Sequence, residues 1–171
     1  MKRFFVFVFL LFASFSVFAR EKEVKVFLEN VYADVAGISK TMTGDYECLV
    51  EKYCSSSFRF TYEKVRRLEE KNGEIVLHSG GAYDLFVECQ DYFESVVYDV
   101  EKVERVDTAS DNVYCAIVVA RFSCDSYEEK EWSFKRYVYV VDENGELRIS
   151  DFKTPGEKSD YEIMRKVLSV M

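Results

Sequence analysis

The chain has 171 residues, with 31 acidic against 23 basic side chains and one histidine, for a net charge of −8. No basic cluster exists to displace phosphate counterions, which argues against nucleic acid, and the same acidity argues against an anionic membrane surface. One histidine beside five cysteines without C-x-x-C spacing gives no zinc site, and neither a glycine-rich phosphate loop nor any other cofactor motif occurs.

Residues 1–19 read as a signal peptide. Lys2 and Arg3 form a basic start, Phe4 to Phe18 an apolar run, and Val17-Phe18-Ala19 the small-residue cleavage pattern. The run falls short of the ~20 residues that a membrane-spanning helix needs. The expected mature protein begins at Arg20 and is exported, periplasmic or secreted, with no membrane attachment after cleavage. About 150 residues remain, one domain by length, with Trp132 and all twelve tyrosines retained for a core.

Five cysteines in an oxidising compartment allow two bridges and leave one thiol over, so Cys48, Cys54, Cys89, Cys115 and Cys124 are disulfide candidates. Cys48 and Cys54 point to different helix faces, and Cys115 and Cys124 have opposite strand parity. Neither local pair closes easily, and small buried hydrophobes are the alternative reading.

From Glu21 to about Met42 the apolar residues Val24, Phe27, Leu28, Val31, Val35 and Ile38 recur at helical spacing. Thr43 or Asp45 is placed to cap the next helix. Residues 46–72 read as two shorter helices, one with the stripe Leu49, Val50, Tyr53 and Cys54, the other with Phe58, Tyr62, Val65 and Leu68. Ser55-Ser56-Ser57 supplies a fresh N-cap between them, and Asn72-Gly73 a left-handed stop. Residues 74–93 are the least regular stretch, with a short strand expected over Glu74 to His78 and a loop beyond Gly81.

From Glu94 to Phe152 four antiparallel strands are expected as a meander. Val97, Val100, Val103 and Val106 recur every three residues, a phase that a flat strand cannot bury, so a bulge is expected near Glu101-Lys102. Val113 to Cys124 is apolar on both parities, hence central and covered twice. Trp132, Phe134, Val138 and Val140 share one face of the next strand, and Tyr137, Tyr139 and Val141 the other. Asn144-Gly145 between two β-branched runs is the strongest hairpin signal in the chain. Residues 156–171 form a tail or short helix, capped by Asp160, with Tyr161, Met164, Val167 and Leu168 in a stripe.

Helices first and a bent meander last make an α+β fold, N-terminal helices packed on a strongly curved sheet over residues 20–155. This order resembles the cone-shaped nuclear transport factor 2-like superfamily, grouped with cystatin-like folds, and more closely a family of exported bacterial domains of unknown function within it. The resemblance spans roughly residues 24–153. It rests on Leu49-Val50-Glu51-Lys52-Tyr53-Cys54-Ser55, on Tyr83-Asp84-Leu85-Phe86 with Gln90-Asp91, and on Asn144-Gly145-Glu146-Leu147-Arg148-Ile149-Ser150-Asp151. Leu85 stands where such relatives carry proline.

The resemblance implies a pocket in the cone and a homodimer through the open sheet face. Tyr83, Asp84, Gln90, Asp91 and Tyr114 are the candidate ligand-binding residues, and no residue is assigned to catalysis. The expected function is a non-catalytic exported binding or interaction domain, its partner a small molecule or an envelope protein. A lyase- or isomerase-type pocket enzyme is the alternative, with a buried carboxylate from Asp84, Glu88 or Asp91 opposite a tyrosine, or His78. An envelope inhibitor or immunity-type protein is a further one.

Overall fold

The computed structural model describes residues 2–41, 45–73, 82–87, 95–107, 112–123 and 131–170. The first helical stripe is realised as read. Val24, Leu28, Val31 and Val35 are fully buried along α1, which spans Lys2–Thr41. The helix starts far upstream of the expected Glu21, because neither proline nor glycine interrupts the apolar run before it. The side chains of residues 2–18 lie outside the described set.

The two helices expected over 46–72 are α2 (Glu47–Tyr53) and α3 (Ser56–Asn72). Asp45 accepts the Glu47 N–H at 2.9 Å, and Ser55 caps α3 by accepting the Phe58 N–H at 3.4 Å. Gly73 ends α3 at φ +68°, where a side chain would be strained. Residues 82–87, expected as loop, instead form the short helix α4 (Ala82–Val87), which buries Leu85, Phe86 and Val87. Three consecutive apolar residues outweighed the glycine-rich approach to them. The strand expected over Glu74 to His78 lies outside the described residues.

Four strands follow: β1 (Ser95–Asp107), β2 (Asn112–Ser123), β3 (Glu131–Glu143) and β4 (Glu146–Lys153). They form one antiparallel sheet in the order β1-β2-β3-β4. The expected bulge is present. Val100 pairs with Val118 and Lys102 with Ile117, leaving Glu101 unpaired. That extra residue lets Val100 and Val103 face the same inner side, while Val97 and Val106 fall on the outer one. A second register shift falls on β4, where Tyr139 pairs with Asp151 but Val140 pairs with Ile149. Between β3 and β4, Asn144 (φ +57°) and Gly145 (φ +88°) make the tight turn, closed by the Gly145 N–H donating to Asp142 at 2.7 Å.

The inner face of the sheet carries Tyr114, Ala116, Val118, Ala120 and Phe122 from β2, with Val138, Val140, Ile149 and Phe152 beside them. Onto it pack α1, α3 and α4. Tyr32 meets Tyr98 with ring centroids 4.8 Å apart, and the Phe58 and Phe86 rings lie 5.7 and 5.2 Å from Phe152. The α2–α3 junction runs beside β4, bridged in parallel from Cys54 to Ile149, with the Ser55 N–H donating to the Ile149 carbonyl at 2.8 Å.

The chain closes with α5 (Asp160–Val170), packed on α3 and β4 through the fully buried Met164. Its cap is not Asp160, as expected, but Ser159. Ser159 Oγ accepts the Glu162 N–H at 3.2 Å, and Glu162 accepts the Ser159 N–H at 3.3 Å. Ser-x-x-Glu satisfies two orphan donors where Asp160 would satisfy one, which frees Asp160 to turn inward.

Candidate functional site

Tyr83 and Asp84 lie on α4, but their side chains are outside the described residues, as are Gln90 and Asp91 altogether. Tyr114 is 4% exposed on the inner face, opposite Val140. Of the five proposed ligand-binding residues, only Tyr114 has its side chain among the described residues. His78, Glu88, Cys89 and Cys124 also lie outside the described residues.

The three described cysteines are free thiols. Cys48 is exposed, its thiol donating to the Asp45 carbonyl at 2.7 Å. Cys54 is in the core and Cys115 on the outer sheet face. Burial pushes both thiols above their ordinary range, which makes them poor nucleophiles.

A groove of about 420 Å³ opens where the β3–β4 hairpin meets the starts of α3 and α5. Ser55, Tyr139, Val141, Glu143, Asp151 and Tyr161 line it. Its acids are occupied. Glu143 accepts the Ser56 N–H at 3.1 Å and the Ser56 hydroxyl at 3.1 Å, seated on the positive end of α3. Asp151 Oδ1 accepts the N–H groups of Phe152 (2.8 Å) and Tyr161 (3.0 Å). Burial raises the Asp151 carboxyl above its ordinary range, while the Ser159 hydroxyl and those two N–H groups pull it back. Neighbouring Asp142 pairs with Arg20 of α1. Glu143 and Asp151 fasten the starts of α3 and α5 to the sheet, and Asp142 fastens the middle of α1.

A second polar site lies inside the fold. Arg136 projects from the inner face of β3, in register with Val118, and is 2% exposed. Its Nη2 donates to Asp160 Oδ2, and Asp160 is 5% exposed. The guanidinium carbon sits 5.3 Å from the Phe152 ring centroid. Nothing in the sequence singles out this pair, because Arg136 sits inside the polar-looking run Lys135-Arg136. The available signal was parity: Arg136 shares its strand face with Phe134 and Val138, the buried side.

The outer sheet face differs in character. Val113, Ile117, Tyr137, Tyr139 and Val141 are partly exposed around the buried Cys115 and Val119, and Val97 is 56% exposed. Around them run ion pairs Asp99–Arg121, Glu101–Lys135 (3.3 Å) and Lys102–Glu104. Tyr114 and Phe122 do not add to this surface, since both are on the opposite face and already buried. Among the described residues no group of three His, Cys, Asp or Glu side chains could hold a metal ion. No protein-family model, curated protein or solved structure matches the chain.

Proposed function

We propose that this chain is an exported, non-catalytic binding domain of the nuclear transport factor 2-like kind that works as a homodimer through the outer face of its sheet. The observation that carries this reading is the outer face itself. A strip of valine, isoleucine and tyrosine stays partly exposed across β2 and β3, larger than scattered surface apolar residues require. The charges framing it balance, with Asp99, Glu101 and Glu104 set against Lys102, Arg121 and Lys135. The whole chain carries −8, so this is a face that a second acidic copy can approach without repulsion. Helices preceding a meander bent by two bulges support the cone-like fold, and the basic, apolar and small-residue order of residues 2–19 supports export.

A pocket enzyme needs an acid free to exchange protons with a substrate. Asp160 is neutralised by Arg136, and Asp151 is engaged by backbone donors, which favours binding over catalysis. Sedimentation equilibrium of the mature protein at micromolar concentration tests the assembly. A dimer that Tyr139→Glu converts to monomer is the expected result. A wild-type monomer throughout that range would overturn it.

A further inference from the structure

We propose that Asn144 is a self-modification site of this protein. When the β3–β4 hairpin opens, its side chain closes on the Gly145 nitrogen and is converted through a cyclic imide to aspartate and isoaspartate. Asp142 is the residue that holds the site shut. The inference does not depend on the binding-domain reading above.

The chemistry needs an asparagine followed by a residue that leaves its nitrogen uncrowded. The Gly145 nitrogen attacks Cγ of Asn144, a C–N bond forms, and ammonia leaves with the proton of that nitrogen. Water then opens the imide. Addition at Cγ gives aspartate, and addition at the main-chain carbonyl gives isoaspartate, whose backbone runs through Cβ and Cγ. The net change turns one amide and one water into a carboxylate and ammonium, with no oxidant or reductant. Of the asparagines, Asn30 and Asn112 precede valine, whose branched side chain shields the nitrogen, and Asn72 and Asn144 precede glycine. Asn144 and Gly145 are exposed to water. Among the described residues, nothing beyond the chain neighbours lies within 4 Å of the place a Gly145 Cβ would take, so the ring has room.

Two features of the closed hairpin prevent the reaction. Asn144 sits at φ +57°, in the left-handed region, where ψ is about +47°. At that ψ the Gly145 nitrogen points away from Cβ across the Cα–C bond, and the ring cannot close until Asn144 leaves the turn. The Gly145 N–H also donates to Asp142 Oδ1 at 2.7 Å. A carboxylate is far too weak a base to take that proton, and its charge opposes the nitrogen anion that the attack requires. Asp142 is itself anchored by Arg20 of α1 and by its register with Leu147. Opening therefore releases the reaction, and the rate follows the fraction of molecules open.

The change runs one way. Isoaspartate adds a backbone carbon at the hairpin tip, so Glu143 no longer meets Glu146, nor Asp142 Leu147. With that register go the Glu143 bonds to Ser56 at the start of α3 and the Asp142 pair with α1.

Asn72 supplies an internal clock for the test. Asn72-Gly73-Glu74 and Asn144-Gly145-Glu146 share one triplet, so the unfolded chain should convert both at similar rates. The full chain is incubated at mildly alkaline pH, folded or in strong urea, and each site is read by peptide mass mapping and isoaspartyl methyl transfer. Asn144 should convert at least about tenfold faster in the unfolded chain than in the folded one. Asp142→Ala should raise the folded rate at Asn144 about fivefold, the worth of one hydrogen bond, and leave both unfolded rates unchanged. A folded Asn144 that converts as fast as the unfolded one, or a folded Asp142→Ala rate equal to that of wild type, overturns the proposal. Should Asp142→Ala not fold, wild type in urea below its midpoint decides. Conversion at Asn144 should rise with urea in step with amide exchange at Gly145, and a flat rate while that exchange quickens overturns the proposal equally.

Discussion

Replacing Arg136 by methionine removes one half of a charge pair that is almost wholly out of water, 2% and 5% exposed for the two partners. Asp160 then loses its guanidinium, and breaking a buried pair by removing one partner costs about 3–5 kcal/mol. For a chain of this length that corresponds to a fall of roughly 6–20 °C in Tm, or about 2 M in the urea midpoint. Asp160→Leu alone takes the carboxylate from the buried arginine and should cost about as much. The double variant Arg136→Met/Asp160→Leu removes both charges together and should recover most of the loss, because the surrounding Phe152, Val118 and Val138 already form an apolar wall. Urea denaturation of the four proteins closes the cycle. The reasoning fails if each single variant loses less than about 1 kcal/mol, the value of a surface pair, or if the double variant loses the sum of the two.

Ser55→Ala removes the α3 cap and should cost about 1 kcal/mol, seen as a lower urea midpoint; an unchanged midpoint would show that the Ser55 N–H bond to Ile149 holds the junction alone. Asp151 gives a pH dependence. A carboxyl raised by burial contributes stability that is present below its unfolded value, about 4, and lost as pH rises through its folded one. Asp151→Asn does not titrate, so it should gain on wild type as pH rises from about 3 to about 7; a midpoint difference constant in pH would refute this. Intact mass of the exported protein should place its N-terminus at Arg20, and a retained Met1 would refute the cleavage.

The strands were legible because each signal there is local. Asn144-Gly145 dictates its own turn, and the three-residue valine spacing in β1 has one cheap resolution, a bulge at Glu101. The outer and inner faces of β3 followed from parity alone. The bulge on β4 was not legible, because Ser150 interrupts no apolar rhythm that a shift could betray. Nor was the role of Asp160, since a helix-opening aspartate reads as a cap unless the competing Ser159–Glu162 box is weighed first. Arg136 was hidden for a different reason. A buried charge is tolerated only through its partner, here 24 residues away, and spacing carries no trace of that pairing.

The bridge from Cys54 to Ile149, with its Ser55–Ile149 hydrogen bond, has a consequence for growth of the sheet. A strand lying at a margin offers unpaired backbone groups to any extended chain that drifts past, whether a misfolded sibling or a peptide. Where the α2–α3 junction meets β4, that margin is taken at Ile149. Among the described residues, the other outer strand of the sheet is β1. There the interruption at Glu101 breaks the hydrogen-bonding row, and Lys102, Glu104 and Arg105 stand exposed along it. Charges and a kink are the usual guards against stacking into fibrils. Deleting Glu101 would straighten that row, and it is the single-residue change by which this fold would most readily begin to aggregate strand on strand.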